Sequence, residues 1–211
     1  MVDLQAIIGF EGIGINAWMV WILPFVGAAL IPAIAKVGNR ARNYAAVGFA
    51  LASALSAATL LPVALDGGQI HSQINWIPIL NIHAGTLADS LSILMTNIVA
   101  WISLLIFIYS LGYMHGDKNL TRYWFFMLFF IGSMQLIVLS DNLLMVFFGW
   151  EGVGLASFAL ISFWYHDKKR DFVGTPGHYA GGIQMWASPS HAGLKAFLMT
   201  KAGDIMMLSG M

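Results

Sequence analysis

The chain has 211 residues, of which 59% are apolar and only 9% charged, with ten basic and ten acidic side chains and no cysteine. A water-soluble domain carries about 25% charged residues, so the chain is read as a membrane protein. Zero net charge gives no electrostatic reason to expect nucleic acid, and the missing cysteines remove iron–sulfur ligation, disulfides, thiolate zinc sites and cysteine nucleophiles from this polypeptide.

A helix that crosses a hydrocarbon core of about 30 Å needs roughly 20 mostly apolar residues. The first fourteen residues carry Asp3 and Glu11 and no Lys or Arg, unlike the basic start of a signal peptide, so the first span is expected to be a retained helix. Spans are expected over about 15–35, 44–65, 87–109, 123–140 and 143–164, with a sixth beginning near Ala192 and still apolar at Met211. The fold class is therefore an all-α, polytopic transmembrane helix bundle, with five complete spans and a sixth at the carboxyl end. Lys and Arg stay on the cytoplasmic side, and Lys36, Arg40, Arg42, Lys118, Arg122, Lys168, Lys169 and Arg170 all follow odd-numbered spans. That places the amino terminus outside.

Small residues at Gly48, Ala52 and Ser56, and at Gly152 and Ala156, recur every four positions and predict close helix packing. Between the second and third spans, an outside loop over 66–86 mixes isoleucines with polar residues and Pro78 and reads as a short extended pair. Asp89 and Asp141 are expected to be caps or solvated turn residues. Thr175, Pro176, Gly177, Gly181 and Gly182 predict a flexible cytoplasmic loop.

Charged side chains inside a membrane cost about 2.5–3.5 kcal/mol on insertion scales and are functional candidates. Glu151 lies nine residues in from Asn142, roughly 13 Å deep at 1.5 Å per residue, beside Gly152 and Gly154. Desolvation penalises the charged form of a carboxyl, so Glu151 is read as a proton relay; the plainer alternative is a neutral acid donating one interhelical hydrogen bond. Lys201 and Asp204 are three apart, share a helix face and can pair. Lys195 is the weaker candidate, close enough to the interface to snorkel. All six histidines fall in loops or at span ends, where they cannot ligate an intramembrane haem. The sequence contains no dinucleotide fingerprint, Walker loop, metalloprotease pair or nucleophile elbow, and no cofactor or metal site is expected.

Spans four to six carry a family resemblance. Tyr123 to Met127, Ser140-Asp141-Asn142, Gly149-Trp150-Glu151-Gly152-Val153-Gly154-Leu155, Phe163-Trp164-Tyr165, Lys195-Ala196-Phe197 and Lys201-Ala202-Gly203-Asp204 together resemble chain L, subunit 5 in mitochondria, of the proton-pumping NADH–quinone oxidoreductase, respiratory complex I. The resemblance implies an antiporter-like subunit of the cell's inner membrane in which a fifth-helix glutamate, matched by Glu151, pairs with a lysine on the seventh helix. Asp204 matches an acidic position near that pair, and Lys201 stands where the family commonly has Arg. Residues 1–122 would form an amino-terminal transmembrane region and 123–211 the start of the antiporter-like domain.

The family chain runs to roughly fourteen or more helices, so these residues are expected to be an amino-terminal fragment of a longer subunit. The loop over 166–193 is longer than the family's, and its Lys168, Lys169, Arg170 and Tyr179 have no assigned role. NAD(H) or another donor, FMN, iron–sulfur clusters and quinone are expected in partner subunits. The alternatives are an archaeal-type donor:quinone or donor:phenazine dehydrogenase, a multisubunit sodium/proton antiporter, and a truncated, non-catalytic membrane scaffold.

Overall fold

The computed structural model describes residues 13–80 and 82–210; the expectations placed on the first twelve residues lie outside them. Its helices are α1 (Ile13–Ile34), α2 (Asn39–Ala58), the short α3 (Leu61–Leu65), α4 (Ser90–Tyr113), α5 (Leu120–Leu139), α6 (Leu143–Ile161) and α7 (Pro189–Gly210). Two hairpins interrupt them, β1 (Ile70–Ile77) with β2 (Ile82–Ala88), and β3 (Val173–Ala180) with β4 (Ile183–Ala187). Five helices among the described residues are long and apolar enough to cross a membrane: Gly14–Ile34, Asn39–Leu65, Ser90–Tyr113, Leu120–Leu139 and Leu143–Ile161. The protein is a multi-pass helical membrane protein. Contacts divide the chain into two units, one through Trp150 and one from Glu151.

In the first unit, α1 packs on α2 and α5, and α4 packs on α2 and α5. Ala17, Val20, Pro24, Ala28 and Ile31 of α1 are buried, recur at three and four positions and make one stripe. A Cβ on Gly27 would lie 2.6 Å from Phe49 of α2, and one on Gly132 of α5 would lie 3.1 Å from Phe25, so both glycines seat an aromatic ring at a helix crossing. The stripe of α2 that packs inward is Ala46, Ala50, Ser53, Ala54 and Ala57. The expected stripe of Gly48, Ala52 and Ser56 is not this one: Gly48 is exposed, with nothing within 4 Å of an added Cβ. Four-residue spacing finds small stripes, and in an alanine-rich helix it cannot choose among neighbouring ones.

Polar side chains tie these helices together. Pro24 has no N–H, so it cannot donate to the carbonyl of Val20 four residues earlier; the Ser53 hydroxyl donates to that carbonyl at 2.6 Å. Asn97 Nδ2 donates to the Ala57 carbonyl at 3.0 Å, and Gln135 Nε2 to the Thr96 carbonyl at 3.0 Å.

The extended pair expected outside is the β1–β2 hairpin, with His71 opposite Leu87 and Gln73 opposite Gly85. Leu87 and Ala88 belong to β2, and α4 starts at Ser90 because Asp89 caps it: Asp89 Oδ1 accepts from Ser92 N at 2.7 Å, and Ser92 Oγ accepts from Asp89 N at 2.8 Å. Donation to the carboxyl from the Ser92 backbone N–H, and then from the Ser92 side chain, holds Asp89 below the usual carboxylate range.

Asp141 departs from the expected solvated turn residue. Its side chain is only 4% exposed and accepts from His71 Nε2 at 3.1 Å, Gln73 Nε2 at 2.8 Å and Asn142 Nδ2 at 2.7 Å. The capping role at α6 falls to Asn142, whose Oδ1 accepts from Met145 N at 3.0 Å.

The segment expected to be a flexible loop is the β3–β4 hairpin. Gly181 and Gly182 have φ of 58° and 81°, the double left-handed conformation of a two-residue hairpin turn, and Tyr179 pairs with Gln184 across it. The two glycines set a turn, and the Ile183–Ala187 run supplies its second strand. Helix α7 follows, capped by Ser188, whose Oγ accepts from His191 N at 3.3 Å.

Candidate functional site

Glu151 is the ninth residue of the nineteen in α6, so about 12 Å of helix at 1.5 Å per residue separates it from the start of that helix. Two apolar turns flank it on each side, which is why a carboxylate sits in mid-helix here. Helix α7 approaches α6 closely at Gly193: a Cβ there would lie 2.8 Å from Ser162 Cβ and 3.1 Å from the Phe158 carbonyl oxygen. One turn further, Phe197 packs on Phe158 with ring centroids 5.1 Å apart. One more turn carries Lys201.

Lys201 Nζ donates to Glu151 Oε2 and, at 2.8 Å, to Asp204 Oδ2. The side chains of Lys201, Glu151 and Asp204 are 24%, 32% and 7% exposed, so the most enclosed member is an acid. Lys201 Nζ also stands 5.2 Å from the centre of the Phe197 ring, within cation–π range. It passes 3.7 Å from where a Cβ on Gly154 would be, an ordinary van der Waals distance that a small side chain there would also allow.

The structure thus brings together three of the four expected residues. Lys195 is exposed and makes no ion pair among the described residues. No group of three His, Asp or Glu side chains among the described residues is arranged to hold a metal ion.

One cation between two carboxylates leaves one negative charge over. In a low-dielectric environment that charge is costly, and a proton on either acid removes it. Movement of the lysine toward one acid favours the charged form of that acid and disfavours it on the other. The arrangement can therefore couple proton occupancy to the position of a side chain. Sequence reading missed Gly193 and the Phe158–Phe197 pair as the features that place Lys201. Their only signal was a small residue and two aromatics at helical spacing, shared by many membrane helices.

The fold and this cluster define a class: a multi-pass helical membrane protein with a lysine shared between two acids of adjacent helices. The family model for the N-terminus of chain 5 of NADH-ubiquinone oxidoreductase (complex I) matches residues 76–124. The chain is 35% identical over 205 residues to NADH-quinone oxidoreductase subunit L of Mycobacterium tuberculosis, a match covering 92% of this chain and 29% of that protein. By sequence, then, the chain is a relative of subunit L, or chain 5, of complex I, and it spans under a third of the length of that relative.

Two solved structures share the fold. The membrane-bound sulfane sulfur reductase, an archaeal respiratory membrane complex, matches with a TM-score of 0.71 at 15% identity, over 92% of this chain and 36% of that chain. The Mrp complex from Dietzia matches with a TM-score of 0.65 at 22% identity, over 92% of this chain and 18% of that chain.

Proposed function

We propose that this chain is part of a proton-translocating, antiporter-like subunit of a complex I-type NADH–quinone oxidoreductase in the cell's inner membrane. The similarity to subunit L supports the assignment. The observation that carries the mechanism is the Lys201 ammonium shared between Glu151 and Asp204. Glu151 is the proton relay. Lys201 is the cation whose position decides which acid keeps its charge, and Asp204 is the competing acceptor that lets Lys201 leave Glu151 without losing a partner. Lys195, exposed near the start of α7, has a weaker claim, as a group that exchanges protons with the cluster.

Electron transfer belongs to partner subunits, which carry NAD(H) or another donor, FMN, iron–sulfur clusters and quinone. Residues 1–122 form an amino-terminal transmembrane region, and 123–211 the start of the antiporter-like domain. The Mrp likeness in fold favours a second reading, a sodium/proton antiporter subunit with no redox partner; pumping driven by a quinone-linked donor separates the two.

The test is Glu151→Gln in the complete complex. Assembly should be retained and proton pumping per electron pair sharply reduced; normal pumping would remove the relay role. Lys201→Ala and Asp204→Asn should each cause partial loss and together a nonadditive one, because coupled residues do not sum. Additive losses would mean that the two act independently.

A further inference from the structure

At the end of the first unit that carries the α1–α2 and α4–α5 connections, Arg42 is 5% exposed. A buried charge is normally paired with an opposite one. Among the described residues, Arg42 meets only neutral acceptors: Nε and Nη2 both donate to Asn43 Oδ1, at 3.1 and 2.9 Å, and Nη1 donates to Thr121 Oγ1 at 3.1 Å. Trp124 Nε1 donates to the same Asn43 oxygen at 3.0 Å, so three N–H groups share one amide oxygen with two lone pairs. Guanidinium has five N–H donors, and two remain beyond these bonds.

Arg42 lines a cavity of about 670 Å³, together with Arg40 and Lys118, in the range of roughly 300–1,000 Å³ seen for small-molecule sites. One carboxylate, Asp117, and His115 also line it, so three fixed cations face one fixed anion. The amino-terminal ends of α2 and α5 both reach it, and neither Gly38 nor Asn119, their capping positions, supplies a side-chain cap. Uncapped helix starts present free N–H groups and the positive end of the helix dipole. Tyr44, Leu111 and Leu120 complete the lining and make part of it apolar.

We propose that this cavity is a binding site for a phosphate-diester anion, the headgroup of an anionic phospholipid. Its phosphate lies against Arg42, Arg40 and Lys118, and its acyl chains leave along Leu111 and Leu120. The cavity opens where membrane-spanning helices end, which is where headgroups lie, and basic pockets between such helices take anionic headgroups. A soluble phosphate offers the same charge and oxygens but has no use for the apolar lining.

The test uses the assembled complex, purified in detergent and stripped of lipid, titrated with dioctanoyl phosphatidylglycerol, dioctanoyl phosphatidylcholine or inorganic phosphate. Bound lipid is read by native mass spectrometry. Arg40→Gln with Lys118→Gln changes side chains at exposed positions and leaves the Arg42 hydrogen bonds in place. The double variant should weaken saturable phosphatidylglycerol binding at least tenfold and leave phosphatidylcholine binding unchanged. Arg42→Gln should weaken it further; if that variant does not assemble, the double variant decides alone. An unchanged phosphatidylglycerol isotherm in the double variant would overturn the site. Competition by inorganic phosphate at concentrations matching the lipid would keep the anion site and overturn lipid as its source.

Discussion

Ser53 shows how one residue repairs another's defect. Pro24 leaves the Val20 carbonyl without its helical donor, and in hydrocarbon there is no water to replace it; the Ser53 hydroxyl does so from the neighbouring helix. Ser53→Ala should cost about 1–2 kcal/mol, read as a lower thermal unfolding midpoint. Pro24→Ala in the same background should recover most of the loss, since it restores the missing donor. A single Ser53→Ala with unchanged stability would mean that the carbonyl needs no partner. Asp141 is the corresponding case outside the membrane. Burial pushes its carboxyl upward, but hydrogen bonds from His71, Gln73 and Asn142, with the nearby His71, outweigh that and hold it below the usual carboxylate range. A lowered value in the folded state means the stabilisation is fully present above the unfolded value of about 3.9 and is lost as pH falls through the lower folded one. Hydrogen exchange of the β1–β2 amides should therefore stay slow from pH 8 to 5, after correction for the intrinsic rate, and rise below about pH 4. Gly85→Ala should raise it at every pH, because a Cβ there would lie 2.0 Å from Asp141 Oδ2. A Gly85→Ala hairpin as protected as the parent's would show that Asp141 does not anchor it.

Helices were the most legible elements, because an apolar run of about 20 residues has few other uses. Their ends were less so. The third span's start shifts from 87 to Ser90 because Leu87 is as apolar as any helix residue and only the Asp89–Ser92 capping box marks the boundary. The β3–β4 hairpin was missed for a related reason: glycine pairs mark flexible loops and tight turns alike, and the partner strand that decides between them carries no alternating pattern. In the site, the i,i+3 spacing made the Lys201–Asp204 pair legible. Its contact with Glu151, fifty residues away in sequence, depends on a helix crossing that composition does not encode. That crossing predicts its own sensitivity. Gly193→Ala should force α7 away from Ser162 and the Phe158 carbonyl, lower stability by about 1–3 kcal/mol and weaken the nonadditivity between Glu151 and Lys201 substitutions. Retained stability together with full coupling would show that some other contact sets the approach.

At the scale of the whole molecule the geometry sorts residues into two ends. His71, Gln73 and Gly85 meet Asp141, so the β1–β2 hairpin and the α5–α6 turn share one end of the first unit. Arg42 meets Thr121, so the α1–α2 and α4–α5 connections share the other. The second end carries Lys36, Arg40, Arg42, Lys118 and Arg122, and the Asp66–Asp89 segment and the Asp141–Asn142 turn carry no Lys or Arg, so the positive-inside rule predicts that the second end is cytoplasmic. No cysteine lies among these 211 residues, so a thiol introduced here is read against the unsubstituted parent as background. Val37, Ile79 and Tyr179 are 83%, 95% and 62% exposed and lie before the second, after the second and after the fifth apolar helix. A membrane-impermeant maleimide added to right-side-out vesicles should label Ile79→Cys but neither Val37→Cys nor Tyr179→Cys, and inverted vesicles should give the opposite pattern. Labelling of Val37→Cys and Ile79→Cys from one side would leave no crossing between them and undo the second span. The reversed pattern would keep the second span but place the Arg42 cavity in the outer leaflet. Anionic lipid is concentrated on the cytoplasmic leaflet, so the orientation that the lysines and arginines predict is also the one that the proposed phospholipid site requires.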